Sequence, residues 1–389
     1  MKIAYVLVDT HQQSGATKSF LTLLKGVMNK GIEPLVIVPD RKDIYHDLLA
    51  MGVEVQVLNY RPAVYPWLFR PIDYLKFIPR LIGRIYVNRK AVPQLASILK
   101  ERHIDIVHTN VSVVDIGFRA ASKIGIPHIY HIREYGKLAF DMYSYPSKRS
   151  FIKRLQNSNS YSICITKGIQ AYYNQQNCER SHVIYNGIFS VQPYKPEHER
   201  GSYFLFAGRI EAVKGLDMLI DGYIAYARVT PSLLPLYIAG ETINMRLRQN
   251  LEKKVSRSGL SDNIHFLGPR KDIEELMKHA YAVIITSSFE AFGRCMPEAM
   301  FLGCLTIARN TAGTLEQLEN GLRTAGEDIA LRFDTTEQLS RQLLKATQLS
   351  NAEYDHITKK AWETVTHLYN IETYVNAILS FYHKILKKE

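Results

Sequence analysis

The sequence predicts an α/β protein built as two parallel-sheet domains, and three observations carry that prediction. Short apolar runs alternate with amphipathic helical stretches in both halves of the chain, the pattern of right-handed βαβ units. A polar, proline-bearing segment, residues 190–202, separates the two series. At 389 residues the chain also exceeds what one hydrophobic core ordinarily organises.

The elements follow in order. Residues 1–8 read as the first strand, and 10–19 as a polar loop holding a single glycine, Gly15. A helix is expected over 18–30, stopped by Gly31, and then a strand over 34–39 around Leu-Val-Ile-Val. A helix near 43–51 leads to a strand at 53–58. Strands at 104–108, 127–131, 162–166 and 182–185, with a helix over 114–125, complete the first half. The second series places strands at 203–207, 236–239, 264–267, 282–286 and 305–308. Residues 354–386 are helical in period, with Trp362, Val365, Leu368, Tyr369, Tyr374 and Leu379 as candidate buried positions.

Composition narrows the function. A hydrophobic content of 46% with 22% charged residues is that of a globular protein. The net charge of +12 points to an acidic partner: nucleic acid, an anionic lipid surface or a phosphate-rich substrate. Cys164, Cys178, Cys295 and Cys304 form no Cys-x-x-Cys pair and read as reduced structural thiols. The apolar start of the chain is too short for a signal peptide and meets Asp9 at once. No stretch reaches the roughly 18 apolar residues of a membrane span. The expected place is the cytoplasm, with membrane contact peripheral at most.

The residues that carry chemistry cluster in the second half. Glu290 and Glu298 flank the turn that leaves the 282–286 strand, and Pro297 suits the first turn of the helix beyond it. Carboxylates at the C-terminal end of a parallel strand lie where open α/β sheets bind ligands, and they can accept bonds from several hydroxyls. The plainer alternative is a solvated Glu290 and a Glu298 that offsets the helix dipole. Upstream, the strand at 203–207 ends at Gly208-Arg209, with Lys214-Gly215 in the same connection. A glycine there lets a ligand approach the backbone, Arg209 can grip phosphate oxygens bidentately, and Lys214 supplies a movable charge. Basic residues that merely open a helix are the alternative.

In combination these pieces resemble a known family. The order strand–Gly208-Arg209–Lys214-Gly215, then Asn263-Ile-His-Phe-Leu-Gly268, then Glu290 and Glu298, resembles the retaining glycosyltransferases of family 4, with the GT-B fold. The first strand with its Gly15 loop, Tyr185-Asn186-Gly187 and the C-terminal helix also fit. The resemblance implies two Rossmann-like domains facing each other across a deep cleft: an acceptor-binding domain at 1–189, the 190–202 linker, and a donor-binding domain at 203–370. A helix at 371–389 would return to the N-terminal domain. It implies further that Arg209 and Lys214 bind the diphosphate of a nucleotide-sugar donor, UDP-linked by expectation. Glu298 would hold the ribose, and Glu290 the donor sugar, with Ala291, Phe292 and Gly293. Gly208 and Gly268 would line the donor site, the loop at 265–270 bordering the base.

In the N-terminal half, Pro127-His-Ile-Tyr-His131-Ile-Arg133-Glu134 resembles the family's strand-end histidine region, which would set His131 toward the reacting sugar. A hydrogen-bonded structural histidine is the alternative. His128 and His131 fall on opposite faces of the strand, so a metal pair is not expected. The family's paired glycines are replaced here by Ser14-Gly15-Ala16-Thr17, which leaves open whether Gly15 meets donor phosphates or acceptor. No Asp-x-Asp metal signature occurs, so metal independence and no cofactor are expected. Nothing in the Glu290/Glu298 spacing assures the carboxyl separations of a glycosidase.

Residues 61–103 carry Arg61, Arg70, Lys76, Arg80, Arg84, Arg89, Lys90, Lys100 and Arg102 against only Asp73 and Glu101. Aromatic and aliphatic residues are interleaved, as suits an anionic membrane interface and a lipid-linked or glycan acceptor. An ordinary helical pair with solvated charges is the other reading. Nucleic acid is not expected as a partner, because no recognised module accompanies the charge. Two further classes stay open at this point: a GT-B epimerase or phosphorylase, and a non-catalytic membrane or nucleic-acid binding protein.

Overall fold

The computed structural model describes the chain except for residues 11–14, 69–70, 141, 191–199, 231 and 388–389, and the side chains of 139–140. Most of the expected linker therefore lies outside the described residues, as do Arg70 and Ser14. Contacts divide the chain into two units, Met1–Gly187 with Ile371–Glu389, and Ile188–Asn370.

The first unit has seven strands: β1 (Lys2–Val6), β2 (Glu33–Val38), β3 (Glu54–Val57), β4 (Ile106–Thr109), β5 (His128–Ile132), β6 (Ser160–Cys164) and β7 (Ser181–Val183). They form one sheet in the order β3-β2-β1-β4-β5-β6-β7, parallel throughout. The connecting helices are α1 (Gly15–Met28), α2 (Ile44–Ala50), α3 (Pro71–Leu75), α4 (Phe77–Glu101), α5 (Ile116–Ile124), α6 (Lys137–Phe140), α7 (Lys148–Leu155) and α8 (Lys167–Tyr172). Alternation sorts β1 between two cores: Ile3 and Tyr5 face the layer with Phe20 and Leu23 of α1, while Ala4 and Val6 face Leu95 of α4 and Ile116 of α5.

The second unit has six strands: β8 (Phe204–Ala207), β9 (Leu236–Ala239), β10 (Ile264–Gly268), β11 (Ala282–Ile285), β12 (Leu305–Arg309) and β13 (Leu331–Phe333). Their order is β10-β9-β8-β11-β12-β13, again parallel. Around them run α9 (Leu216–Ala227), α10 (Met245–Arg257), α11 (Ile273–Lys278), α12 (Cys295–Phe301), α13 (Ala312–Ala325), α14 (Thr336–Gln348) and α15 (Asn351–Leu368). The last helix, α16 (Ile371–Leu386), belongs to the first unit.

Two Rossmann-like parallel sheets agree with the expected fold class, and three local features add to or depart from the sequence reading. The stretch 354–386 holds two helices with a break at Tyr369-Asn370, where Asn370 Nδ2 donates to the carbonyls of Thr366 (3.0 Å) and His367 (3.2 Å) and caps the end of α15. Of the six residues expected to be buried there, Val365, Tyr369 and Tyr374 are, while Trp362, Leu368 and Leu379 are half-buried. Gly15 opens α1 rather than sitting mid-loop, because the buried stripe of Phe20, Leu23, Leu24 and Val27 extends back through Ser19 to Thr17. Strand β13, three residues long, was too short to register as a period.

Six side chains of α16 are buried: Tyr374, Val375, Ile378, Phe381, Tyr382 and Ile385. Each contributes roughly 1.5–3 kcal/mol on burial, so this helix is part of the first unit's core. Gly26 shows how closely it lies on α1, since a Cβ there would stand 2.3 Å from Val375 Cγ2.

Candidate active site

In the second sheet the chain runs outward from β8 in one direction and resumes at β11 in the other. The switch point between β8 and β11 is where open α/β sheets form a crevice at their strand ends. Both sequence motifs emerge there. Beyond β8 come Gly208, Arg209 and a short 3-10 turn, Ala212–Lys214; beyond β11 comes the loop that carries Glu290 into α12.

The two connections are bonded to each other. Ser288 N and Oγ donate to Val213 O at 2.8 and 3.1 Å, and Thr286 Oγ1 donates to Lys214 O at 2.9 Å. Gly215 makes this contact possible. It has φ +67°, and a Cβ would lie 2.2 Å from Thr286 O. Lys214 is thereby fixed, and its Nζ stands 2.6 Å from Glu290 Oε1 with both side chains about four-fifths buried (21% and 18% exposed). Ser287 Oγ donates to the same oxygen at 2.7 Å. Oε2 of Glu290 has no hydrogen bond among the described residues.

Arg209, half-exposed, pairs with Glu211 at 2.9 Å. Glu298 lies in the first turn of α12 and receives Arg294 at 3.0 Å. Gly293 has φ +81°, and Gly313 N at the start of α13 donates to Glu290 O at 3.0 Å, tying down the loop of Ala291 and Phe292. Gln317 reaches from α13 to the carbonyls of Phe292 and Gly293. Burial pushes the Cys295 thiol up; Glu298 and Glu290 add to this and Lys214 opposes it, so the cysteine stays a thiol. Gly268 ends β10, the edge strand beyond β9, and its carbonyl accepts from Gly240 N at 2.8 Å. The segment 265–270 is mostly strand rather than loop, and Arg270 is engaged by Asp272. Sequence reasoning missed Ser287, Glu211 and Arg294. Each is a polar neighbour of a chosen residue whose side-chain direction only the backbone reveals.

In the first unit, His131 is the last residue but one of β5 and is wholly buried. Its Nδ1 lies 3.1 Å from His108 Nε2 and 3.2 Å from Arg133 Nη2. Arg133 is held by Asn110 Oδ1 (3.0 Å), Asn186 Oδ1 (2.6 Å) and Tyr374 Oη (3.1 Å). His131 Nε2 is buried with no partner among the described residues. Burial, then Arg133 and His108, holds the His131 pKa well below the usual imidazole range, so the ring is neutral. His128, on the opposite face, bonds Thr109 at 2.8 Å, and burial brings its pKa down to about 3. Glu134 accepts from Ser112 N and Oγ at 2.7 and 2.6 Å. Gly15 begins α1 next to residues outside the description.

Within the basic segment, Pro71–Leu75 and Phe77–Glu101 form α3 and α4. Ile78, Ile82 and Tyr86 recur every four residues on one exposed face of α4, next to exposed Tyr74 and Leu75. Lys76, Arg80, Arg89 and Lys90 are exposed beside them, with Arg80 paired to Asp73 at 2.6 Å. No helix among the described residues is long and apolar enough to cross a membrane.

Comparison with known proteins agrees with this arrangement. The family model described as Glycosyl transferases group 1 matches residues 192–361, and that described as Glycosyltransferase Family 4 matches residues 13–189. An uncharacterized glycosyltransferase of Methanocaldococcus jannaschii is 25% identical over 278 residues, 69% of this chain and 74% of that one. The lipopolysaccharide core biosynthesis mannosyltransferase LpsB of Rhizobium meliloti is 27% identical over 134 residues, 33% of this chain and 38% of that one. Among solved structures, HepE of Anabaena in complex with UDP aligns with a TM-score of 0.77 at 20% identity, covering 99% of this chain and 100% of that one. HepE has also been solved with UDP-glucose. Two parallel-sheet units, a family match to each half and a GT-B structural likeness over nearly the whole chain lead to one conclusion: the chain belongs to the family 4, group 1 glycosyltransferases and is a GT-B glycosyltransferase.

Proposed function

We propose that the protein is a retaining glycosyltransferase that moves a sugar from a UDP-linked donor to a glycan or lipid-linked acceptor in cell-surface polysaccharide synthesis. The observation that carries this reading is the Lys214–Glu290 pair at the β8/β11 switch point, 2.6 Å apart. An ammonium has three N–H donors, so Lys214 can keep Glu290 and still face a diphosphate. Glu290 Oε2 can accept from a sugar hydroxyl, with Ala291, Phe292 and Gly293 bordering the same sugar. Glu298 takes the ribose, and Gly208 and Gly268 leave room for the nucleotide. UDP as the nucleotude moiety is supported by HepE, which binds it.

Bond breaking then proceeds without a metal. Arg209 and Lys214 stabilise the charge that develops on the leaving diphosphate, each preorganised cation contributing about 3–4 kcal/mol. The acceptor hydroxyl attacks the face the diphosphate is leaving, and a phosphate oxygen takes its proton. His131 offers a neutral N–H to a sugar oxygen. Lys76, Arg80, Arg89 and Lys90 meet anionic headgroups while Ile78, Ile82 and Tyr86 enter the interface, which brings the enzyme to a lipid-linked acceptor at the inner face of the membrane.

The test is turnover of a panel of nucleotide sugars, with product anomers read by NMR. Sugar transfer with retained configuration from a UDP-sugar is expected. Interconversion of the donor without acceptor, or inversion, would overturn the reading.

A further inference from the structure

The geometry points to a directed hydrogen-bond relay in which His108, set by Tyr382 of the last helix, is a positioning residue that fixes His131 as the Nε2–H tautomer. The direction follows from one group that can only donate. Arg133 Nη2 lies 3.2 Å from His131 Nδ1, and a guanidinium has no acceptor, so Nδ1 carries the lone pair. In a neutral imidazole the proton is then on Nε2.

The rest of the chain takes its polarity from that end. His108 Nε2 is 3.1 Å from the same His131 Nδ1 and must donate to it. His108 Nδ1 is left to accept, and Tyr382 Oη donates to it at 2.5 Å. Tyr382 in turn receives Tyr5 Oη at 3.2 Å. The opposite polarity would set a His131 N–H against an Arg133 N–H. Burial keeps His108 neutral and both phenols protonated, as the relay requires. The titratable and charged groups facing the two imidazoles are Arg133 on the β5 end, Tyr374 and Tyr382 on α16, and Tyr5 on β1, with His128 acting on His108 from the other side of the sheet.

The outward result is a single buried donor, His131 Nε2–H, unpartnered among the described residues. A buried N–H without a partner is costly to leave unmade, so it suits a sugar oxygen. This step rests on the role given to His131 above. It gives α16 a chemical task as well as a packing one.

The experiment uses the full chain labelled with 15N-histidine; His131 is assigned among the 13 histidines by its loss in His131→Gln. Two-bond 15N–1H spectra are expected to show His131 protonated at Nε2 only, from pH 8 to pH 5. A proton on Nδ1, or titration near the ordinary 6.5, overturns the assignment. Tyr382→Phe, which removes one hydroxyl, is expected to shift the His108 nitrogens and lower kcat/KM for transfer roughly two- to ten-fold, the worth of a hydrogen bond, with UDP affinity unchanged. His108→Gln, which can still donate, keeps transfer where His108→Phe loses it. Unchanged His108 spectra and transfer in Tyr382→Phe would also overturn the relay. The spectra need no turnover: the Nε2–H form without transfer from any donor supports the relay and sinks the functional reading alone.

Discussion

Lys214 and Glu290, 76 residues apart in sequence, form one ion pair 2.6 Å long at the strand ends of β8 and β11. Each is the other's counter-charge in a mostly buried place, so neither can be altered alone without consequence for its partner.

Lys214→Ala is expected to lower kcat/KM by about 10²–10³, the size of losing one preorganised cation. Glu290→Gln keeps the hydrogen bond but not the charge and should cost less than Glu290→Ala. A double-mutant cycle should be non-additive by about 0.5–3 kcal/mol, because the residues touch. Additive losses in transfer rate would show that the pair does not act as a unit.

Gly215→Ala places a Cβ against Thr286 O in left-handed backbone. We expect a loss of at least about 1 kcal/mol of stability by urea unfolding, together with lower transfer, because Lys214 must move. Gly259→Ala is also left-handed, with open space around its Cβ, and should cost less.

Stability should fall as pH drops from 7 to 5. His108, His128 and His131 are all held neutral by burial, His128 down to about 3, against an unfolded value near 6.5. The folded pKa values lie below the unfolded one, so below 6.5 the unfolded chain binds protons that the folded chain does not. The loss amounts to about 1.4 kcal/mol per pH unit per histidine. Urea midpoints measured across that range check it, and a flat profile would show that these rings are not buried neutral.

Ile78→Asp with Ile82→Asp should abolish binding to vesicles containing anionic lipid in a flotation assay and leave folding intact, since both positions are exposed. Binding of the parent protein should weaken with salt and vanish for uncharged vesicles. Equal binding to both vesicle types would contradict the interface.

The fold class was legible because buried parallel strands are apolar runs and helices between them keep a 3.6 period. Periodicity alone does not separate α15 from α16, because Tyr369 and Asn370 continue the pattern; the family resemblance set a boundary there, and the side-chain cap of Asn370 marks the break. The motif residues of the second unit could be chosen from sequence, but not their partners: nothing in the spacing says that Lys214 meets Glu290, or Glu298 meets Arg294. Tyr382 was least legible of all. As a helical aromatic at a buried position it reads as packing, and only the 2.5 Å contact of its hydroxyl with His108 distinguishes it.

Thermal unfolding with and without UDP tests whether the Lys214–Glu290 site binds a nucleoside diphosphate. UDP at a hundred times its dissociation constant should add about 2.7 kcal/mol and raise Tm by a few degrees. Lys214→Ala should lose most of that shift at the same concentration. No shift with UDP, or one that Lys214→Ala leaves intact, would show that the nucleotide is not held by this pair.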